Sequence, residues 1–143
     1  MKIKSLLPPM CALLLLGAPY CNADPVWATG HSLFEIIGED LHAHDTGVEL
    51  TDYQTNAVCL LLGYFRGFAE SSALTAHYDP TALPFFLPDN ITNDQIERTV
   101  YQYLTDNRDR LDLAGDVLMV AALTKAFPNP SFTPPAPKAS PTP

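Results

Sequence analysis

The stretch Thr51–Ala76, TDYQTNAVCLLLGYFRGFAESSALTA, contains no proline and is the longest uninterrupted helical pattern in the chain. Tyr53, Ala57, Leu60, Leu61, Tyr64 and Phe68 fall at spacings that keep one face of a helix apolar. Val58, Leu62, Phe65 and Ala69 add a second stripe beside the first, so this helix is expected to be buried over more than half its circumference. Thr51 followed by Gln54 forms a capping box at its start. Gly63 and Gly67 each cost about 1 kcal/mol of helix propensity. That cost predicts close approach of another backbone, which a missing Cβ allows. Cys59 sits among Val58, Leu60 and Leu61 with no histidine beside it, and is expected to be a buried, inert thiol.

Other helices follow the same logic. Thr29 caps a first helix running through Leu41, with Leu33, Ile37 and Leu41 on one face, and residues 42–50 read as a polar connection. Between Ala76 and Ile91, Pro80, Pro84 and Pro88 recur every four residues and forbid a regular helix. Connections of this length are often functional. Phe85 and Phe86 within it are expected to pin the loop to the core. Thr92 with Gln95 is a second capping box, and Ile91 with Ile96 a hydrophobic staple. The helix they start presents Ile96, Val100, Tyr103 and Leu104 inward and ends at Asn107. A last helix is expected from about Leu111 to Phe127, with Leu111, Ala114, Leu118, Ala121 and Ala122 inward, close to Gly63 and Gly67, and Pro128 closing it. No strand pattern stands out. The expected fold class is all-α: a single-domain bundle of four main helices around a central long helix.

The two ends are not core. Lys2 and Lys4 precede the apolar run Leu6–Leu16, and Cys21-Asn22-Ala23 places small residues where a signal peptidase cuts. Residues 1–23 are expected to be a secretory signal cleaved before Asp24, residues 24–128 the helical domain, and residues 129–143 a proline-rich disordered tail. Cleavage removes Lys2 and Lys4 from the 8 basic residues and none of the 16 acidic ones, moving the formal charge from −8 to −10. A chain this acidic is a poor ligand for nucleic acid, which demands clustered Lys and Arg. Once the signal is gone, no segment is expected to engage a membrane. Cys59 would then be the one remaining cysteine, so no intramolecular disulfide is expected.

Candidate chemistry is sparse. Glu39, Asp40, His42, His44 and Asp45 crowd together and include a His-x-His pair, but no second ligand cluster accompanies them, so no metal or other cofactor is expected. No nucleophile elbow, glycine-rich phosphate loop or HExxH pair is present, and no catalytic residue is assigned.

Thr29-Gly30-His31-Ser32-Leu33-Phe34, Gly63-Tyr64-Phe65-Arg66-Gly67-Phe68, Leu87-Pro88-Asp89-Asn90-Ile91-Thr92 and Ala126-Phe127-Pro128 occur in an order that resembles the Rap/Tai family of immunity proteins. These are small helical periplasmic proteins associated with type VI secretion, and the likeness covers about Thr29 to Asn129. It implies a non-enzymatic antitoxin that binds a cell-wall (peptidoglycan) amidase effector and blocks its active-site groove, commonly as a homodimer. Where the family often carries cysteines, this chain has Ile37, Leu61, Phe86 and Asn129, so packing is expected to replace the bridges. Combined with the length of the proline loop, the resemblance implies a partner-binding surface of His77, Tyr78, Asp79, Phe85, Asp89 and Asn90. A different reading is a periplasmic structural or stress-related helical protein without a toxin partner, whose acidic surface and proline tail matter more.

Overall fold

The computed structural model describes residues 27–134; the expected signal, residues 1–23, and the end of the expected tail lie outside the described residues. Four α-helices make up the domain: α1 Gly30–Thr46, α2 Asp52–Tyr78, α3 Asn93–Asp106 and α4 Gly115–Ala126, with a 3-10 turn at Arg108–Arg110 before α4. Among the described residues there are no strands, only isolated bridges pairing Thr29 with Ala114 and Phe85 with Pro128. The fold is all-α, as the sequence predicts. No described helix is long and apolar enough to cross a membrane.

Three helices start on capping boxes. Thr51 Oγ1 accepts from the Gln54 amide at 3.3 Å while Gln54 Oε1 accepts from the Thr51 amide at 2.9 Å. Thr92 and Gln95 repeat the exchange at 3.2 and 3.0 Å. Thr29 makes the same reciprocal pair with Ser32 at 3.2 Å in each direction. Each box satisfies two of the amides that a helix start leaves unpaired. α1 runs past Leu41 to Thr46, so the expected polar connection is largely helical, and Gly47 ends it in the left-handed region at φ 73°. Gly38 does not stop this helix; its bare Cα lets the Tyr101 ring of α3 approach, 3.2 Å from where a Cβ would stand.

α1 and α3 each touch the other three helices. Their inner residues Leu33, Ile37, Ile96, Val100 and Leu104 are among the most deeply buried, joined by Leu61 and Phe65 of α2 and Leu118, Met119 and Leu123 of α4. The long helix is therefore buried on one side only. Tyr53 and Leu60 of the expected inner face are 77% and 57% exposed, and Cys59 is exposed rather than buried. Ala57, Val58, Leu61 and Phe65, with Ser72 further along, are the buried positions of α2. Of the positions where packing was expected to replace cysteines, Ile37 and Leu61 are fully buried, whereas Phe86 is 55% exposed.

The close approach expected at Gly63 and Gly67 lies elsewhere: no atom is within 4 Å of a Cβ built at either. It occurs instead where α1 and α4 begin. The Gly30 amide donates to Leu113 O at 2.8 Å and the Gly115 amide to Ala28 O at 3.2 Å, so two backbones run side by side. α4 starts at Gly115 because the chain turns through Arg108–Arg110 first, which leaves Leu111 buried in that turn and Ala114 exposed.

Candidate functional site

Asp79 ends α2 and begins the proline loop. Its Oδ1 accepts from the Thr81 amide at 2.9 Å and the Thr81 hydroxyl at 2.7 Å, and this hydroxyl contact, then the amide, holds the carboxyl below its ordinary pKa. Phe85 drops into the core, 2% exposed, with its ring 5.7 Å from that of Phe68. The loop is then fastened by the residues after α4. The Phe86 amide donates to Phe127 O at 2.9 Å and the Asn129 amide to Pro84 O at 3.0 Å. Asn129 Nδ2 adds bonds to Pro80 O at 2.7 Å and Leu83 O at 2.8 Å. Asn129, assigned by sequence to the tail, is thus an ordered clamp. Asn129→Ala is expected to cost about 1–2 kcal/mol and to raise amide hydrogen exchange across residues 80–87, which mass spectrometry of the two proteins will read.

Between this loop and the last turns of α2 lies an open groove of about 380 Å³, lined by Ser72, Ala73, Ala76, His77, Leu83, Phe85, Phe86, Leu87 and Asp89. Of the residues assigned from sequence, His77, Phe85 and Asp89 line it, with Phe85 a buried wall. Tyr78 stands beside the groove, 80% exposed, its ring edge-on to His77 with centroids 5.4 Å apart. Asp79 and Asn90 are exposed in the same loop but do not line it. Phe86 is the aromatic group that sequence reasoning left out of the surface. Phe85 and Phe86 are adjacent in an extended segment, so one must face in and the other out. The groove offers aliphatic and aromatic walls with one imidazole and one carboxylate, a lining suited to receiving a side chain of another molecule.

His42 and His44 are two residues apart on helical backbone, which points them to different sides of α1, so the pair does not converge. Among the described residues no group of His, Cys, Asp and Glu is arranged to hold a metal. A second titratable feature went unpredicted. Glu97 of α3 is 3% exposed, and its Oε1 has no hydrogen-bond partner. Burial first, then the Asp40 carboxylate of α1 and Asp94, push its carboxyl up to about 8, against the opposing pull of Arg98. Arg98 is engaged elsewhere, with Nη2 3.0 Å from Asp45 Oδ1 and Nε 2.9 Å from Asp94 Oδ1. Glu97 precedes buried Leu104 by seven residues and therefore shares its helix face, a spacing signal present in the sequence.

Fold and groove together define a small helical binding domain. The chain belongs to the Rap1a immunity protein family, whose model matches residues 28–129. Membership implies a type VI secretion immunity function, and with it a cognate effector as partner. No curated protein and no solved structure matches the chain.

Proposed function

We propose that this protein is exported by a leader cleaved before Asp24, and that in the periplasm it binds a peptidoglycan amidase effector and occludes its active-site groove. The observation that carries this reading is the fastened loop. Three proline positions and the Asn129 clamp hold Phe86 exposed at the mouth of the groove, with Asp79 and Asp89 in the same loop. A rigid loop loses little conformational entropy on docking, so an exposed aromatic on it converts contact area into affinity efficiently. The surplus of acidic residues, −8 formally for the whole chain, steers it toward a partner with a basic rim. Catalysis by this chain plays no part in the reading; inhibition follows from filling the effector's cleft.

The test is binding to a peptidoglycan amidase effector, sought first among the genes that neighbour this one. The purified protein is expected to hold that amidase in a surface-immobilised format. Phe86→Ala is expected to weaken binding by about 2 kcal/mol or more, roughly thirtyfold, with unchanged helicity. Asp89→Lys should slow association, the more so at low salt. Binding that is indifferent to both substitutions would place the contact on another face.

A further inference from the structure

The groove lies against the C-terminal end of α2, where a helix leaves its last carbonyls without intrahelical donors and gathers a partial negative charge. Local sequence keeps those carbonyls open here. Ala76 O is followed four residues on by Pro80, which has no N–H to give it. The Thr81 amide, due to His77 O, donates instead to Asp79 Oδ1 at 2.9 Å, and the Ala82 amide, due to Tyr78 O, donates to Asp79 O at 3.1 Å. The loop adds two exposed carboxylates, Asp79 beside the helix end and Asp89 in the lining itself. Among the described residues no Lys or Arg lines the groove to balance them. Its walls are apolar, formed by Leu83, Phe85 and Leu87, and the Phe86 ring stands 55% exposed at the mouth.

We infer that the groove takes an arginine side chain of the effector, its stem along the apolar walls and its guanidinium against Phe86, facing Asp89 and the open carbonyls of α2. An apolar channel with a negative end selects a side chain that is long, aliphatic along its stem and cationic at its tip, which leaves lysine and arginine. The arrangement of the acceptors decides between them. A lysine ammonium is a compact, strongly hydrated point charge, whereas a guanidinium is flat, weakly hydrated and carries five donors in a rigid fork. Here the acceptors come from two elements, carbonyls from α2 and a carboxylate from the loop, with an exposed aromatic face beside them. A fork reaches both and lays its plane on the ring. Ser72, only 8% exposed, adds a hydroxyl to the same lining. An acidic side chain is refused by the same features, since it meets like charge and the negative end of a helix. This deepens the docking proposal and rests on it: Phe86 both touches the effector and carries its arginine.

The test titrates two probes into the purified, isotope-labelled protein and follows amide NMR shifts: N-acetyl-arginine N-methylamide and its uncharged isostere, N-acetyl-citrulline N-methylamide. The arginine probe is expected to shift Ser72, Ala76, His77, Phe86 and Asp89 with a Kd on the order of 1 mM, and the citrulline probe to bind about tenfold more weakly. N-acetyl-lysine N-methylamide is expected to fall between them. Asp89→Asn, at an exposed position, is expected to weaken the arginine probe about fivefold and to leave the citrulline probe and the rest of the spectrum unchanged. Equal affinity for arginine and citrulline overturns the charge recognition, equal affinity for arginine and lysine overturns the fork, and shifts centred on another face overturns the site. The probes read the groove without the effector. Retained amidase binding with no preference among the probes therefore overturns the arginine alone, whereas a clear preference with no amidase binding overturns the docking alone.

Discussion

Glu97→Gln is expected to melt well above the wild type at pH 8 and at nearly the same temperature near pH 4.5, the two ends of the range over which this carboxyl has been displaced. In the unfolded chain Glu97 releases its proton near 4.5, whereas in the fold it keeps that proton up to about 8. Over that window the folded state binds more protons than the unfolded state, so stability falls as pH rises and levels off beyond it. The slope for one proton is about 1.4 kcal/mol per pH unit, and the whole loss is on the order of 3–5 kcal/mol. The groups that set it are Asp40 from α1, and Asp94 and Arg98 from α3 itself. Glutamine has the same shape, never ionises, and donates from its amide to the Asp40 carboxylate. Its melting temperature at pH 8 should therefore rise by more than about 10 °C, and its stability should barely depend on pH between those limits. A wild-type profile that is flat over the window, or a variant that tracks it, would mean that Glu97 is ionised in the fold.

Gly115→Ala is expected to destabilise the domain by about 3 kcal/mol, a drop of more than 10 °C in melting temperature by the same scaling. A Cβ at this position would strike the carbonyl oxygen of Trp27 and lie 3.3 Å from that of Thr29. These are backbone atoms of the segment bonded to the start of α4 and cannot rotate away. Gly30 is in the same situation, 2.9 Å from Leu111 O and against Leu118 Cδ1. Gly63→Ala, introduced into open space within α2, should instead stabilise the domain by up to about 1 kcal/mol. Denaturant titration followed by Trp27 fluorescence reads both. Equal effects of the two substitutions would show that helix propensity rather than space governs these positions.

The contrast between these glycines also shows where sequence reasoning reached and where it stopped. Capping boxes act within four residues, so Thr51 with Gln54 and Thr92 with Gln95 located two helix starts from local pattern alone. The inner face of α3 was legible for a related reason: Ile96, Val100, Tyr103 and Leu104 form a single stripe with polar neighbours outside it. α2 has two adjacent apolar stripes, and nothing local decides which of them the bundle covers. That choice is made by where α1 and α3 lie. Gly63 and Gly67 were accordingly assigned a contact that Gly30 and Gly115 make, since a glycine's neighbours are tertiary facts. The loop was recognisable from Pro80, Pro84 and Pro88, and its length together with the family resemblance pointed to His77, Phe85 and Asp89 of the groove. The clamp from Asn129 reaches back 49 residues to Pro80 and leaves no local trace. Glu97 does not stand out in the sequence because a glutamate in a helix is ordinarily solvated, although its spacing to Leu104 places it on the buried face.

Inhibition by docking is measured directly by one titration. A peptidoglycan amidase of the effector class proposed above, supplied with purified peptidoglycan, is titrated with this protein while release of cleaved peptide is followed. Hydrolysis is expected to fall linearly to zero as equimolar protein is approached, and Phe86→Ala is expected to make the titration shallow. Undiminished hydrolysis in the presence of a large excess of folded protein would rule out inhibition by docking.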